Sequence, residues 1–252
     1  MSGVLRATRE ASALTLTLDR PDKRNALSAE LIDALRAALA DAELDADVRV
    51  VVLRGAGKDF CAGADLDELL ASAGRAPADN EADALRLGEV FLALRRLPKP
   101  AVAVVHGAAV AGGCGLATAC DLVLAAESAR LGYPEIQRGF VPAMVMTLLR
   151  RAVGEKAAFD LVATGRLVTA REALALGLVS RVAADGDLEH AAAAVVTALA
   201  AGSATALALT KKLLYDLDGL GLDEGIRLGA RINALARATP DFRDRIARFL
   251  AR

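Results

Sequence analysis

Aromatic residues are scarce in this sequence of 252 residues: there is no tryptophan, and the three aromatic types together make up 3% of the chain. Surfaces that stack nucleic-acid bases depend on such side chains. Neither sign of charge is in excess, because 31 basic residues stand against 32 acidic ones and the formal net charge is −1. We therefore expect no binding to nucleic acid and none to an anionic membrane.

Cysteine and histidine are also few. The three cysteines, Cys61, Cys114 and Cys120, are odd in number and lack metal-ligand spacing. Only His106 and His190 remain as imidazoles, and we expect a structural role for both. No apolar run near the start resembles a signal peptide. The pattern predicts a reduced, cytoplasmic protein without a metal site.

Two stretches, residues 100–120 and 191–210, contain no charged side chain and are as long as a membrane span. Both are rich in small residues, which contribute little transfer free energy, and no tryptophan or tyrosine lies at their ends. We therefore expect both to be buried elements of a soluble protein and predict no membrane association.

Hydrophobic periodicity predicts an α/β core over residues 1–187 and a helical C-terminal region over residues 188–252. One strand candidate alternates between leucine and threonine, as half-buried strands do, whereas others are continuous apolar runs typical of strands buried on both faces. Helical segments between the strands favour right-handed crossovers and a mostly parallel sheet. The predicted strands are residues 4–9, 14–18, 48–53, 101–105, 122–125 and 179–182.

Several helix boundaries carry capping signals. Ser28 can cap the first helix, and Thr169 with Glu172 forms a capping box for a helix that ends at Gly177. Residues 71–83 have linker-like composition and are predicted to form a mobile loop within one domain. Further helices are predicted at residues 82–97, 144–151 and 156–164.

Familiar catalytic loops are missing from the sequence. There is no phosphate-binding loop of the Gly-x4-Gly-Lys-Ser/Thr type and no Gly-x-Ser-x-Gly nucleophile elbow. Gly55 and Gly57 follow a predicted strand, but the third glycine of a dinucleotide fingerprint is absent. These absences argue against nucleotide phosphate chemistry and against a serine hydrolase of that fold.

Two glycine-rich segments, residues 59–66 and 107–116, each follow a predicted buried strand and can lead into a helix. Backbone N–H groups are unpaired at a helix start, so two such segments side by side can hold one oxyanion. The alternative is a pair of tight turns that allow close helix packing. From spacing alone we prefer that alternative.

Short motifs extend these segments along the chain in one order and spacing, and they lie at residues 20–27, 60–66, 98–103, 107–121, 132–135 and 164–179. Together they make the sequence resemble the crotonase, or enoyl-CoA hydratase/isomerase, family over almost its whole length. The resemblance implies a core of repeated ββα turns and a helical C-terminal region that mediates assembly as a homotrimer or homohexamer. It also implies an acyl-CoA substrate from fatty acid metabolism and no cofactor beyond that coenzyme A.

The resemblance also implies site residues. It assigns an oxyanion hole to the backbone N–H groups of Ala64 and Gly112, and a catalytic acid/base to Glu135. Hydratases of the family use two glutamates, but at the first position, twenty residues before Glu135, this chain has Gly115. Isomerases of the family keep only the second acid, so the departure favours an isomerase-like site. The implied substrate-binding residues are Arg24, Ala26, Ala62, Asp65, Leu66, Gly113, Gly115, Pro134, Phe140 and Met144.

Three neighbouring segments each leave two interpretations. Residues 139–146 either line an acyl pocket or form the buried face of the next helix. Asp65 and the acids that follow it, Asp67 and Glu68, are either replacement acids or a solvated helix start, and we prefer the second. Residues 23–24, which are Lys and Arg, either meet the phosphates of coenzyme A or form a solvated basic turn.

The predicted function is that of an enoyl-CoA hydratase/isomerase-family enzyme that acts on an acyl-CoA thioester through an enolate, with Glu135 as its one acid/base. The alternatives are a genuine 2-enoyl-CoA hydratase that uses one glutamate and water, a lyase or thioesterase of the same fold, and an acyl-CoA-binding protein without turnover. The expected partners are an acyl-CoA and further copies of the chain.

Overall fold

The computed structural model describes residues 3–251, which form nine strands and eleven α-helices. The strands are β1 (Leu5–Glu10), β2 (Ala13–Leu18), β3 (Val50–Gly55), β4 (Ala101–Val105), β5 (Ala108–Val110), β6 (Leu122–Ala126), β7 (Arg130–Gly132), β8 (Leu167–Thr169) and β9 (Arg181–Ala183). The helices are α1 (Ala29–Leu44), α2 (Leu66–Ala71), α3 (Pro77–Arg96), α4 (Gly112–Ala119), α5 (Ala143–Val153), α6 (Glu155–Thr164), α7 (Ala170–Leu176), α8 (Leu188–Ala201), α9 (Ala204–Asp216), α10 (Leu222–Ala238) and α11 (Pro240–Leu250).

Six strands form the main sheet in the order β1-β2-β3-β4-β6-β9, and β5-β7-β8 form a second sheet. Within the main sheet β1 and β2 are antiparallel, as in a hairpin, whereas the remaining neighbours are parallel. β4 and β6 are each followed directly by a short strand of the second sheet and then by a helix. The predicted α/β core of ββα units and its mostly parallel sheet are confirmed.

The first uncharged stretch is buried, as predicted. β4 is completely enclosed, since none of its residues exceeds 1% exposure, and α4 is buried from Gly113 onward. A parallel strand covered on both faces accepts only apolar side chains, which explains why residues 100–120 carry no charge.

The prediction for the second uncharged stretch is wrong. Residues 191–210 span two helices, α8 and α9, and most of their side chains are half-buried or exposed. Alanine favours helix whether or not it is buried, so the lack of charge here does not indicate burial. Among residues 3–251 no single helix is long and apolar enough to cross a membrane; the segments Asp185–Ala201 and Ala204–Asp216 reach that length and composition only as a pair bent by 105°.

The predicted bounds of strands and helices agree with the structure to within two residues, except that α3 begins at Pro77 instead of at residue 82. The Ser28 hydroxyl accepts from the N–H of Leu31 at 3.3 Å, and Gly177 ends α7 with a φ of 86°. Thr169 caps α7, but the Glu172 carboxylate accepts from Arg166 at 2.6 Å, so the reciprocal half of the predicted capping box is absent. The strand predicted at residues 179–182 begins two residues later, as β9.

The predicted mobile loop at residues 71–83 is wrong for its second half, because α3 begins at Pro77. A proline at the first helical position fits this start, since its missing N–H would have had no intrahelical partner. Arg75 also pairs with Asp83 across the first turns of the helix. The polar composition therefore reflects an exposed helix end.

A buried charged cluster ties α9 to the core. Lys211 is 8% exposed, and its ammonium donates to the carbonyls of Leu94 and Lys99 at 2.7 and 3.0 Å and to Asp121 at 2.7 Å. Asp121 also accepts from the Tyr215 hydroxyl at 2.7 Å. Each partner thus satisfies a charge that would be costly to bury alone.

We expect Lys211→Met to lower the free energy of unfolding by about 3–5 kcal/mol, because it leaves the half-buried Asp121 carboxylate without its cation. The matched control is Lys212→Met, since Lys212 is exposed and pairs with Asp216 on the helix surface. An exposed pair contributes roughly 0–1 kcal/mol. Denaturant titration of both variants makes the comparison, and equal effects would contradict the cluster's role.

Candidate functional site

The two glycine-rich segments lie side by side. Cys61 forms a parallel bridge with Ala109: its N–H donates to the carbonyl of Ala108 at 3.0 Å, and its carbonyl accepts from Val110 at 3.0 Å. Glycine permits this approach. A Cβ at Gly113 would overlap the Cys61 carbonyl oxygen, and one at Gly107 would overlap that of Lys58.

The N–H of Ala64 points away from its bridging partner. Ala64 forms a parallel bridge with Leu27, in which Leu27 donates to the carbonyl of Gly63 at 2.7 Å and Asp65 donates to the carbonyl of Leu27 at 3.1 Å. In this pattern the middle residue directs its own N–H to the opposite side. Within residues 3–251 that N–H meets no backbone acceptor.

Gly112 supplies the second unpaired N–H group. It is the first residue of α4, and the first bond of that helix is donated by Gly115 to the carbonyl of Ala111 at 3.0 Å. The N–H groups before that bond point out of the helix end. A Cβ built on Gly112 would lie 3.9 Å from the amide nitrogen of Ala64, so the two N–H groups are close neighbours.

Ala111 holds the start of α4 in an unusual conformation. Its φ of 52° and ψ of −127° are sparsely populated for a residue with a side chain, and such a conformation costs on the order of 1–3 kcal/mol. The N–H of Ala111 donates to the carbonyl of Gly132 at 2.8 Å, which links this turn to β7. Backbone strain of this kind clusters at functional sites.

Glu135 lies in a 3-10 turn, Pro134–Arg138, that follows β7. Its side chain is buried, and no group among the described residues donates a hydrogen bond to Oε2. Burial raises the pKa of the Glu135 carboxyl, while the nearby Arg138 opposes that rise. A buried carboxyl with a raised pKa is suited to both accepting and returning a proton near neutral pH.

The other titratable groups near Glu135 stay protonated. Burial raises the pKa of Cys114 to about 11, and the Glu135 charge contributes in the same direction. Burial also raises the pKa of the Tyr133 phenol, which lies 3.1 Å from the Thr118 hydroxyl. Neither the thiol nor the phenol is therefore ionised at neutral pH.

Gly115, where the family's hydratases have their first glutamate, has no free space beside it for a side chain. A Cβ at Gly115 would overlap Cγ1 of Val145 and would lie 3.2 Å from Cζ of Phe91. Both neighbours are buried, at 3% and 4% exposure. The place of the first glutamate is therefore filled by hydrocarbon.

The acids at the first glycine-rich segment divide between two environments. Asp65 caps α2 by accepting from the N–H of Asp67, and it accepts from Arg20 at 2.8 Å. The hydrogen bond from Arg20, together with the Arg20 charge, holds the pKa of Asp65 below its usual range, so Asp65 stays ionised. The prediction of a solvated helix start is wrong for Asp65, which is 7% exposed, and is confirmed for the exposed Asp67 and Glu68.

Both cations of the basic turn have carboxylate partners. Lys23 pairs with Asp67 at 2.9 Å, and Arg24 donates to Asp59 at 2.7 Å while its side chain is half exposed. Asp59 also accepts from the N–H of Ala108 at 2.9 Å, so it joins the basic turn to the second glycine-rich segment.

The remaining predicted substrate-binding residues are scattered between surface and interior. Ala26 is buried, Ala62, Pro134 and Met144 are half-buried, and Leu66 and Phe140 are exposed. Within residues 139–146, Val145 is buried, as the interpretation of a buried helix face expects, whereas Phe140 is exposed. Among residues 3–251 no cluster of three or more His, Cys, Asp or Glu side chains is arranged to hold a metal ion.

Sequence reasoning missed the role of Asn25, which is completely buried. Its amide donates to the carbonyls of Ala56 and Asp59 at 2.8 Å, and its Oδ1 accepts from the N–H of Arg20 at 3.0 Å. These bonds fix the turn that precedes Leu27, the bridging partner of Ala64. The sequence indicated only that a polar residue, Asn25, lies within the motif at residues 20–27. It did not indicate which backbone groups that side chain would contact.

Comparison with known proteins gives one family. The family model described as enoyl-CoA hydratase/isomerase matches residues 8–251. A protein of Thermus thermophilus, named as a candidate enoyl-CoA hydratase, is 50% identical over 92% of each chain. The crystal structure of an enoyl-CoA hydratase from Mycobacterium smegmatis superposes with a TM-score of 0.95 at 36% identity and covers 99% of this chain and 97% of its own. The crystal structure of an enoyl-CoA hydratase from Bacillus anthracis superposes with a TM-score of 0.92 at 30% identity. It covers 98% of this chain and 96% of its own.

Titration of Glu135 should be visible in stability without any assay of activity. Because its folded pKa is raised, the folded state binds the proton more tightly than the unfolded state. Wild type should therefore lose stability relative to Glu135→Gln as the pH rises from about 4.3, the unfolded value, through the higher folded pKa. Denaturant titrations of both proteins between pH 4 and 8 measure this difference. A constant difference would show that burial leaves the carboxyl unperturbed.

Proposed function

Because the chain belongs to the enoyl-CoA hydratase/isomerase family, we propose that it moves the double bond of an enoyl-CoA thioester through an enolate. In this proposal the amides of Ala64 and Gly112 bind the thioester oxygen, and Glu135 is the one acid/base. The observation that carries it is the hydrocarbon packed against Gly115, which leaves Glu135 without a second acid.

The two N–H groups stabilise the charge that develops during the reaction. When a proton leaves C2 of a 3-enoyl thioester, the electron pair spreads onto the thioester oxygen. A preorganised donor in an enclosed site contributes about 2.7–4 kcal/mol to such a step. Ala64 and Gly112 can provide two donors, because their N–H groups are adjacent and unpaired.

Glu135 carries the proton between two carbons. Its carboxylate removes the proton from C2, the dienolate forms, and the same carboxyl returns the proton to C4. The double bond then lies between C2 and C3, conjugated with the thioester. One group suffices because the proton count does not change, and the raised pKa of Glu135 brings the carboxyl closer to the neutral pH at which both transfers occur.

Hydration of a 2-enoyl-CoA is the second candidate, and the names of the relatives favour it, since the compared proteins are called enoyl-CoA hydratases. Here Glu135 would both activate water and protonate C2. Two carboxylates divide these tasks more efficiently, which is why we prefer isomerisation for this chain.

We also propose that the chain acts as a homotrimer or homohexamer through its C-terminal region, residues 188–252. Within the described residues neither α10 nor α11 has a buried side chain, although both present large apolar groups to the surface. Exposed apolar area of this kind marks an interaction surface. The exposed groups include Leu222, Ile226, Leu235, Phe249 and Leu250.

The acyl-CoA is the proposed substrate, and no cofactor beyond its coenzyme A is needed for proton transfer. The three cysteines are buried free thiols. Such thiols support our assignment of the protein to the reducing cytoplasm.

We expect Glu135→Gln to lower the rate of 3-hexenoyl-CoA isomerisation by about 10²–10⁴-fold, because the amide cannot accept the C2 proton. The rise in absorbance of the conjugated thioester follows the reaction. Glu127→Gln is the matched control, since Glu127 is an exposed glutamate paired with Arg171, and it should keep full activity.

Full activity of the Gln variant would refute the role of Glu135. A loss of conjugated signal from 2-hexenoyl-CoA, with no gain from the 3-enoyl isomer, would establish hydration instead. Binding of acyl-CoA without turnover would identify a non-catalytic protein.

A further inference from the structure

One face of α4 looks onto a continuous set of apolar side chains. Gly112 and Gly115 lie three residues apart and so share this face. A Cβ at Gly112 would meet Leu27 and Leu87 at 3.3 and 3.6 Å, and a Cβ at Gly115 would meet Phe91 and Val145. All four neighbours are at most 8% exposed. We refer to Leu27, Leu87, Phe91 and Val145 as the apolar wall.

Val145 is the member of the apolar wall that excludes a side chain at residue 115. Its Cγ1 occupies the position that a Cβ would need, and its own Cβ would be only 3.1 Å away. Valine in a helix has one strongly preferred rotamer, so this methyl group cannot turn aside without strain. Leu149, one turn further along α5, is completely buried and keeps the helix in place.

We propose that Val145 is a specificity-determining residue that restricts the site to proton transfer between carbons, an inference that rests on the proposed function of Glu135. Hydration must place a water molecule beside C3, add its oxygen there and deliver a proton to C2. An ordered water needs two to four polar partners, and a valine methyl group offers none. On the α4 side of the substrate the apolar wall therefore disfavours water, and no group there can take its proton.

The packing relation is testable without substrate. Gly115→Ala should lower Tm by roughly 5 °C or more in wild type, because overpacking a rigid site is costly. In a Val145→Ala background the same change should lower Tm by less than half as much. Val195→Ala is the matched background, since Val195 is equally buried but lies on α8, and there the full loss should persist. Equal losses in all three backgrounds would overturn the role of Val145.

The catalytic consequence is tested with two double variants. Gly115→Glu with Val145→Ala should form 3-hydroxyhexanoyl-CoA from 2-hexenoyl-CoA at least tenfold faster than the isosteric Gly115→Gln with Val145→Ala. Its ratio of hydration to isomerisation should exceed that of wild type by at least tenfold. Equal hydration by the Glu and Gln variants, despite the Tm coupling, would overturn the proposal for Val145.

Failure of the proposed single-acid function gives a different result from failure of the proposal for Val145. If wild type itself hydrates 2-hexenoyl-CoA faster than it isomerises 3-hexenoyl-CoA, the single-acid function is wrong and the inference about Val145 falls with it. If wild type isomerises and Glu135→Gln does not, but the Glu double variant gains no hydration, Val145 alone is refuted.

Discussion

The close approach of two glycine-rich segments is the constraint on which the site depends. Cys61 and Ala109 bridge the segments, and a Cβ at Gly107 or Gly113 would force them apart. This contact places the unpaired N–H of Ala64 beside the N–H that opens α4. The hydrogen bond of Asn25 to the Asp59 carbonyl and the ion pair of Asp65 with Arg20 hold the two ends of the first segment in place. Preorganised donors of this kind need no rearrangement when charge develops.

Burial then determines what the remaining groups can do. Glu135 lacks a donor at Oε2 and sits with a raised pKa, whereas Asp65 is just as buried but is held ionised by Arg20. The two carboxylates thus have opposite chemistry, because Arg20 donates a hydrogen bond directly to Asp65, whereas no cation donates one to Glu135 Oε2. At Gly115, the position of a second acid in the family's hydratases, the apolar wall offers no polar partner.

Local pattern predicted much of the core correctly. The bounds of β4 and the Ser28 cap follow from residues that are near in sequence, whereas the meeting of the two glycine-rich segments was implied by the resemblance and not by their spacing. Features that depend on distant partners were not predictable. The Lys211 cluster joins residues about 90 positions apart, and the exposure of residues 191–210 depends on what packs against α8 and α9. The resemblance drew attention to Gly115 from the sequence. That Val145 fills the space beside Gly115 depends on how α5 packs against α4, which the sequence did not predict.

The central claim is that one buried carboxyl carries a single proton from C2 to C4. It is tested most directly with 3-hexenoyl-CoA deuterated at C2 and turned over in ordinary water, with the product analysed by mass spectrometry at low conversion. The account predicts that a measurable share of the deuterium appears at C4 of 2-hexenoyl-CoA, and that this transfer disappears in Glu135→Gln. Complete loss to solvent of the deuterium removed from C2, together with formation of the 3-hydroxy product, would contradict it.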